Sequence, residues 1–199
     1  MTSVMKQVLN YAAQMPEGRP LAAKELLHLG SRAAVDQTLS RLARSGALIR
    51  AGRGVYVKPV KNQFGTRAPM SMKVVEELAA KRGETIAPHG AVAANALGLT
   101  TQVPTREVYL TSGPTRRLKL GSQVIELRHA PRWQLTLPSQ GAGNVVRALA
   151  WMGPGKAAEE AIQKLKATLP QSELDEIAST RAQLPTWMAQ EISELVTHA

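Results

Sequence analysis

Between Ser31 and Leu42 the apolar positions recur with helical spacing. Val35, Leu39 and Leu42 fall at i, i+4 and i+7 and predict one buried stripe, with Ser31 as the N-cap and Gly46 as the stop. The pattern then turns to strand formers. Leu48, Ile49, Val55, Tyr56 and Val57 surround Ala51-Gly52-Arg53-Gly54, a hairpin whose two glycines are expected to take positive φ and leave Arg53 at the tip. Upstream, Val4, Val8, Tyr11, Ala12 and Met15 share one face of a helix over residues 3–15, which Pro16-Glu17-Gly18 breaks. A short helix over Leu21–Leu29 is expected to pack Leu26 and Leu27 inward. Helix, short helix, helix and hairpin in this order predict a winged helix-turn-helix over residues 1–62.

The following segment is polar and contains Gly and Pro, and reads as a linker over residues 63–69. Helices are predicted over Ser71–Lys81 and Pro88–Leu97, then strands over Glu107–Thr111, Leu118–Leu120 and Gln123–Arg128. Alternation over Trp133–Leu137 suggests an edge strand. Ala142–Met152 reads as a helix, and two or three more follow, separated near Pro154-Gly155, Pro170 and Pro185. Their stripes are Ala158, Ile162 and Leu165, then Leu174 and Ile177, then Ile192, Leu195 and Val196. The fold class expected is α+β: an N-terminal winged helix-turn-helix, then a mixed helix and antiparallel-strand domain over 70–199 with a helical end from about residue 141.

Charge changes the picture because it is uneven. The chain of 199 residues carries a formal net charge of +10, and its pI is near 10.3. Lys and Arg outnumber acids eleven to three over residues 1–69 and ten to five over 70–150, whereas acids lead seven to four over 151–199. A polyanion partner along the first three quarters is the natural inference. With seven aromatic residues in all, the core must be aliphatic. Cysteine is absent, which excludes disulfides and thiolate metal sites. No apolar run is long enough for a signal peptide or a membrane span, so a soluble, cytoplasmic protein is expected without membrane contact.

Enzymatic chemistry finds few groups to use. Asp occurs only at 36 and 175, and His at 28, 89, 129 and 198, with no i, i+4 pair and no HExxH. Gly141-Ala142-Gly143 is a GxG without a phosphate-binding sequel. Glu126-Leu127-Arg128 is similar to the acidic-x-basic end of a metal-dependent nuclease core, but the nearest upstream acid is Glu107, and one carboxylate holds Mg²⁺ poorly. His89 and His129 read as structural. No catalytic residue, metal or cofactor is expected.

DNA binding is where the residues point. The exposed face of the helix that runs from Ser31 to the stop at Gly46 would carry Ala33, Gln37, Ser40, Arg41 and Arg44, with Ser31 and Arg32 at its start. Its small residues permit close approach, its amide suits adenine, and its guanidiniums suit guanine or phosphate. Arg53 would enter a minor groove or clamp a phosphate. Arg116, Arg117 and Lys119, with Arg106, Arg128 and Arg132, make a second basic region that is either a further DNA contact or a solvated hairpin.

The run ARSGALIRAGRGVYVKP and the later HGAVAANALGLTTQVPTREVYLTSG resemble the AbiEi-type antitoxins, transcriptional regulators of abortive-infection toxin–antitoxin pairs. The resemblance covers residues 3 to about 130. It implies binding to inverted repeats in the protein's own promoter, repression of that operon, and neutralisation of a co-encoded nucleotidyltransferase-like toxin, with direct contact left open. It would be a monomer in solution or a dimer on DNA. Two other readings stay open: a winged module that binds an acidic protein, and an ordinary repressor without an antitoxin role.

Overall fold

Ser3 opens the first helix, its hydroxyl accepting a hydrogen bond from the Lys6 N–H at 3.4 Å. The computed structural model describes residues 3–137 and 141–197. The outermost ends of the two expected domains, and His198, lie outside the described residues. The chain is mixed α and β, with small antiparallel sheets and a helical C-terminus. The elements in order are α1 Val4–Ala13, β1 Pro20–Leu21, a 3-10 turn Ala23–Leu29, α2 Arg32–Arg44, β2 Ile49–Gly52, β3 Val55–Val57, β4 Val60–Asn62, β5 Gly65–Arg67 and α3 Ser71–Arg82. Then come β6 Ile86–Pro88, α4 Gly90–Ala96, β7 Glu107–Thr111, β8 Arg116–Leu120, β9 Gln123–His129, a 3-10 turn Arg132–Leu135, α5 Gly141–Met152, α6 Lys156–Thr168, α7 Gln171–Thr180, a 3-10 turn Arg181–Gln183 and α8 Thr186–Thr197.

Two compact units emerge, Met1–Glu84 with Arg116–Glu126, and Thr85–Thr115 with Leu127–Ala199. In the first, β1 pairs antiparallel with β3 (Pro20 opposite Val57, Leu21 opposite Tyr56), and β2 lies on the other side of β3. Val8, Ala12, Leu21, Leu26, Val35, Leu39, Leu42, Leu48 and Tyr56 form one buried cluster between the helices and this sheet. The expected short helix over Leu21–Leu29 is corrected in two ways. Its start is strand β1, and the remainder is a 3-10 turn. With three residues per turn, Ala23, Leu26 and Leu29 share the inner side, so Leu26 is buried at 0% exposure and Leu27 faces out at 46%. In the β2–β3 hairpin only Gly54 takes positive φ (69°). Gly52 does not, and the register shifts between Arg50 and Gly52 instead.

The segment read as a linker carries a second hairpin. Strands β4 and β5 pair with Val60 opposite Arg67, Gly65 takes φ 123°, and the Asn62 side chain accepts from the Phe64 N–H at 3.0 Å. Helix α3, assigned by the sequence to the later domain, belongs to the first unit. Gly18 (φ 87°) approaches it so closely that a Cβ there would sit 2.8 Å from the Lys73 backbone carbonyl carbon. The neighbouring Glu17 carboxylate accepts from the Met70 N–H (3.0 Å), Lys73 (3.0 Å) and Arg67 (3.3 Å). The Met70 N–H and Lys73 hold its pKa below the ordinary value. Farther along α3, Lys81 pairs with Glu25 at 2.6 Å and donates to the Pro20 carbonyl at 2.9 Å. Burial alone would raise the Glu25 pKa, but bonds from Lys81 and the Ala22 N–H outweigh it and the net shift is downward. Strand β8 also belongs here and packs against β2.

In the second unit β6 and β7 are antiparallel, with Ile86 opposite Thr111, and the end of β9 lies on the other side of β7. The helix expected from Pro88 begins only at Gly90, because Ile86–Pro88 is committed to the sheet. His89 caps α4, its Nδ1 accepting from the Ala91 N–H at 3.3 Å. Gly90 lets α4 lie directly on α5, since a Cβ there would fall on the Arg147 carbonyl oxygen and the Trp151 Cβ. Trp133–Leu137 is not an edge strand. Pro131 opens a 3-10 turn in which the Gln134 N–H donates to the Pro131 carbonyl at 3.0 Å, and Trp133 packs on the helical core. Three helices, α6 to α8, complete that core through Ile162, Leu165, Ile177, Met188, Ile192 and Leu195.

Two predictions follow the Gly18 and Glu17 contacts. Gly18→Ala should lose about 1–3 kcal/mol from strain and overpacking, read as a lower denaturant midpoint. Because the folded Glu17 pKa is depressed, its contribution is complete above its ordinary value of 4.5 and disappears as pH falls through the lower folded value. Glu17→Gln should therefore be less stable than the parent at neutral pH and equal to it in acid. A gap that does not change with pH would remove Glu17 from this role.

Candidate nucleic-acid interface

The site is built on α2. Ser31 caps it as expected, its Oγ accepting from the Ala34 N–H at 3.3 Å, so this hydroxyl is engaged in the fold. Val35, Thr38, Leu39 and Leu42 are buried. The opposite side exposes Arg32, Ala33, Gln37, Arg41 and Arg44, with Ser40 half-buried. At i, i+4, i+8 and i+11, Ala33, Gln37, Arg41 and Arg44 form one stripe. Arg32 bonds Asp36 one turn on, Nε to Oδ2 at 2.8 Å, on the exposed surface. Such a pair contributes little to stability, but it partly neutralises the start of the helix. Arg41 and Arg44 stand in the last turn, where cations favour the negative end of the helix dipole.

Arg53 occupies the tip of the β2–β3 hairpin and is exposed. Arg50, missed at the sequence level, is exposed on β2 opposite Tyr56, while Ala51 beside it is buried. The in-out alternation of Arg50 and Ala51 was the available signal. From Gln37 to Val75 the chain carries eight Lys or Arg residues and no acid. Three of these cations serve the fold: Lys58 donates to the Ala13 and Met15 carbonyls at 3.0 and 3.1 Å, at the end of α1, and Lys73 and Arg67 both bind Glu17.

The second basic region is divided between the two units. Arg116, Arg117 and Lys119 lie in the first unit, and Arg106, Arg128 and Arg132 in the second. Within β8 the alternation buries Leu118 and Leu120 and exposes Arg117 and Lys119. Arg116 is corrected. Its guanidinium forms a two-pronged ion pair with Glu84, with side-chain exposures of 15% and 10%, so it is a structural cation and not a surface contact. Arg147, which the sequence gave no reason to separate from the other cations, is almost wholly buried on α5. It donates to Asn144 Oδ1 at 2.9 Å and lies 3.4–3.5 Å from the Gln134, Thr136 and Leu137 carbonyls. Burial lowers its pKa to about 10, which still leaves it charged at neutral pH.

His129 is likewise engaged, its Nδ1 3.0 Å from the Gly113 carbonyl, and His28 is tilted against Tyr11 with ring centroids 6.0 Å apart. Gly141-Ala142-Gly143 opens α5, where a Cβ on Gly143 would fall on the Leu137 carbonyl oxygen, so close packing explains that glycine. Among the described residues no three His, Asp or Glu side chains gather as a metal cluster, and no helix is long and apolar enough to cross a membrane.

A family model described as a family of unknown function, DUF6088, matches residues 7–177. The chain belongs to DUF6088. No curated protein matches this DUF6088 chain. Among solved structures it is similar to the RV2827C protein from Mycobacterium tuberculosis, at 18% identity and a TM-score of 0.54, covering 98% of this chain and 76% of that one. At that identity the similarity is one of fold.

The β8 alternation yields a stability test. Arg116→Ala should cost about 3 kcal/mol, because Glu84 is left with its charge poorly solvated, whereas Arg117→Ala should stay within about 0.5 kcal/mol of the parent. Equal midpoints for the two variants in urea would contradict the assignment.

Proposed function

We propose that this DUF6088 chain is a cytoplasmic, sequence-specific DNA-binding protein, without enzymatic activity, whose first unit is a winged helix-turn-helix. The observation that carries the reading is the α2 stripe of Ala33, Gln37, Arg41 and Arg44, set beside an Arg-tipped hairpin within a long stretch free of acids. The sheet order β1-β3-β2, with helices before and after β1, supports the winged assignment. In this reading α2 lies in a major groove, Gln37 and Arg41 meet base edges, and Arg53, Arg50, Arg117 and Lys119 meet the backbone or a flanking groove. Arg116 takes no part in it.

The same proposal extends, through the AbiEi-type resemblance of the Ala43–Pro59 and His89–Gly113 runs, to an antitoxin. Two copies on inverted repeats would repress the operon that encodes the protein, and the chain would also counteract a nucleotidyltransferase-like toxin.

The test is a footprint on the DNA upstream of the protein's own gene beside a scrambled duplex, at two salt concentrations. Paired half-sites protected only on the promoter are expected. Arg41→Ala should lose ~1–3 kcal/mol and relax specificity at one base pair. Arg53→Ala should weaken both duplexes alike and shallow the salt slope by about one unit. Equal, salt-labile binding to promoter and scramble would overturn the proposal. Toxin co-expression then tests the antitoxin arm by survival of the cells.

A further inference from the structure

We propose that the β4–β5 hairpin is a second DNA-contacting element, with Phe64 as an apolar wedge that enters between base pairs beside the half-site. The inference rests on the DNA-binding reading above. Phe64 is the single phenylalanine of the chain and, among the described residues, the most exposed large apolar side chain, at 87%. It sits at the tip of the hairpin, where the Asn62 side chain holds its backbone N–H, and the β4–β5 ladder fixes the turn. The ring is thus presented on a braced turn, which limits the entropy lost when it is inserted.

Its surroundings select the partner. Lys61, Asn62, Gln63, Gly65, Thr66 and Arg67 are all exposed, two of them cationic and none acidic. Arg67 keeps a half-exposed guanidinium while bonded to Glu17 and the Ala68 carbonyl. A protein-docking surface would ordinarily spread over a contiguous apolar patch, and here the residues of the hairpin on either side of the ring, 61–63 and 65–67, carry no apolar side chain. A lone ring flanked by cations matches duplex DNA, whose phosphates attract Lys61 and Arg67 and whose stacked bases accept an apolar side chain at a deformable step. Insertion partially unstacks that step and kinks the duplex.

The experiment uses the full chain and a promoter duplex labelled at both ends for energy transfer, with 2-aminopurine placed in turn at steps flanking the protected half-sites. The parent should bring the ends closer and raise 2-aminopurine emission at one step. Phe64→Ala should abolish both signals and bind about tenfold more weakly, because the apolar contact that offsets unstacking is lost. Phe64→Leu should retain most of the bend, because a wedge needs apolar bulk and not aromaticity. Lys61→Ala should shallow the salt slope with the bend intact. Since Phe64 touches little of the fold, thermal midpoints should not move. Unchanged bend and affinity in Phe64→Ala, with promoter preference still lost in Arg41→Ala, would overturn the wedge alone. If the parent shows no promoter preference, both proposals fall. Loss of self-association in sedimentation as the sole effect of Phe64→Ala would overturn the wedge in favour of a contact between copies.

Discussion

Pairing of Pro20 and Leu21 with Val57 and Tyr56 is the constraint on which the first unit depends. A two-residue strand contributes few ladder bonds, yet it ties the chain between α1 and α2 to the hairpin after α2 and so closes the core from both ends of the sequence. It is not left to hold alone. Lys81 reaches from α3 to the Pro20 carbonyl and to Glu25, and Lys58 joins the end of β3 to the last carbonyls of α1. Each of these long side chains donates to backbone oxygens near a helix end or at a sheet edge. With β1 in place, α2 has Val35, Leu39 and Leu42 committed inward, and its opposite stripe is obliged to face out.

How much of this was legible depends on whether a segment has one buried face. Helix α2 does, and its cap, stripe and stop were readable; so was the β2–β3 hairpin, apart from the role of Gly52. The β4–β5 hairpin has no buried face along most of its length, so no periodicity distinguishes it from a linker. The 3-10 turns failed for another reason. Leu26-Leu27 read as a helical pair, and Trp133–Leu137 as alternation, because a period of three is close to neither 3.6 nor 2 over so few residues. Membership of β8 and α3 in the first unit was unreadable, because it is decided by long-range contacts such as Glu17 with Lys73 and β8 on β2.

Charge was legible in total and not in assignment. Arg116 and Arg117 are neighbours in sequence with the same charge, and the half-turn between successive strand residues sends one to Glu84 and leaves the other exposed. Arg147 is counted as a cation of the basic middle segment, yet it lies buried and bonds chiefly to carbonyl groups. Only the structure separates cations that hold the fold from cations that remain for a partner, and that separation narrows the candidate interface to α2, the β2–β3 tip, the outer face of β8 and the β4–β5 hairpin.

The helical end has the opposite sign and supplies the complementary half of the argument. Burial, then the neighbouring Glu194 and Glu159, raise the Glu191 pKa, which marks a region of α6 and α8 where carboxylates crowd one another. Such a surface repels phosphate, and at low ionic strength that repulsion extends beyond the nearest groups. The acid-free stretch and the crowded acids lie in different units of one chain. In the DNA-binding reading proposed above, phosphates would therefore meet the first unit and avoid the cluster of Glu159, Glu191 and Glu194.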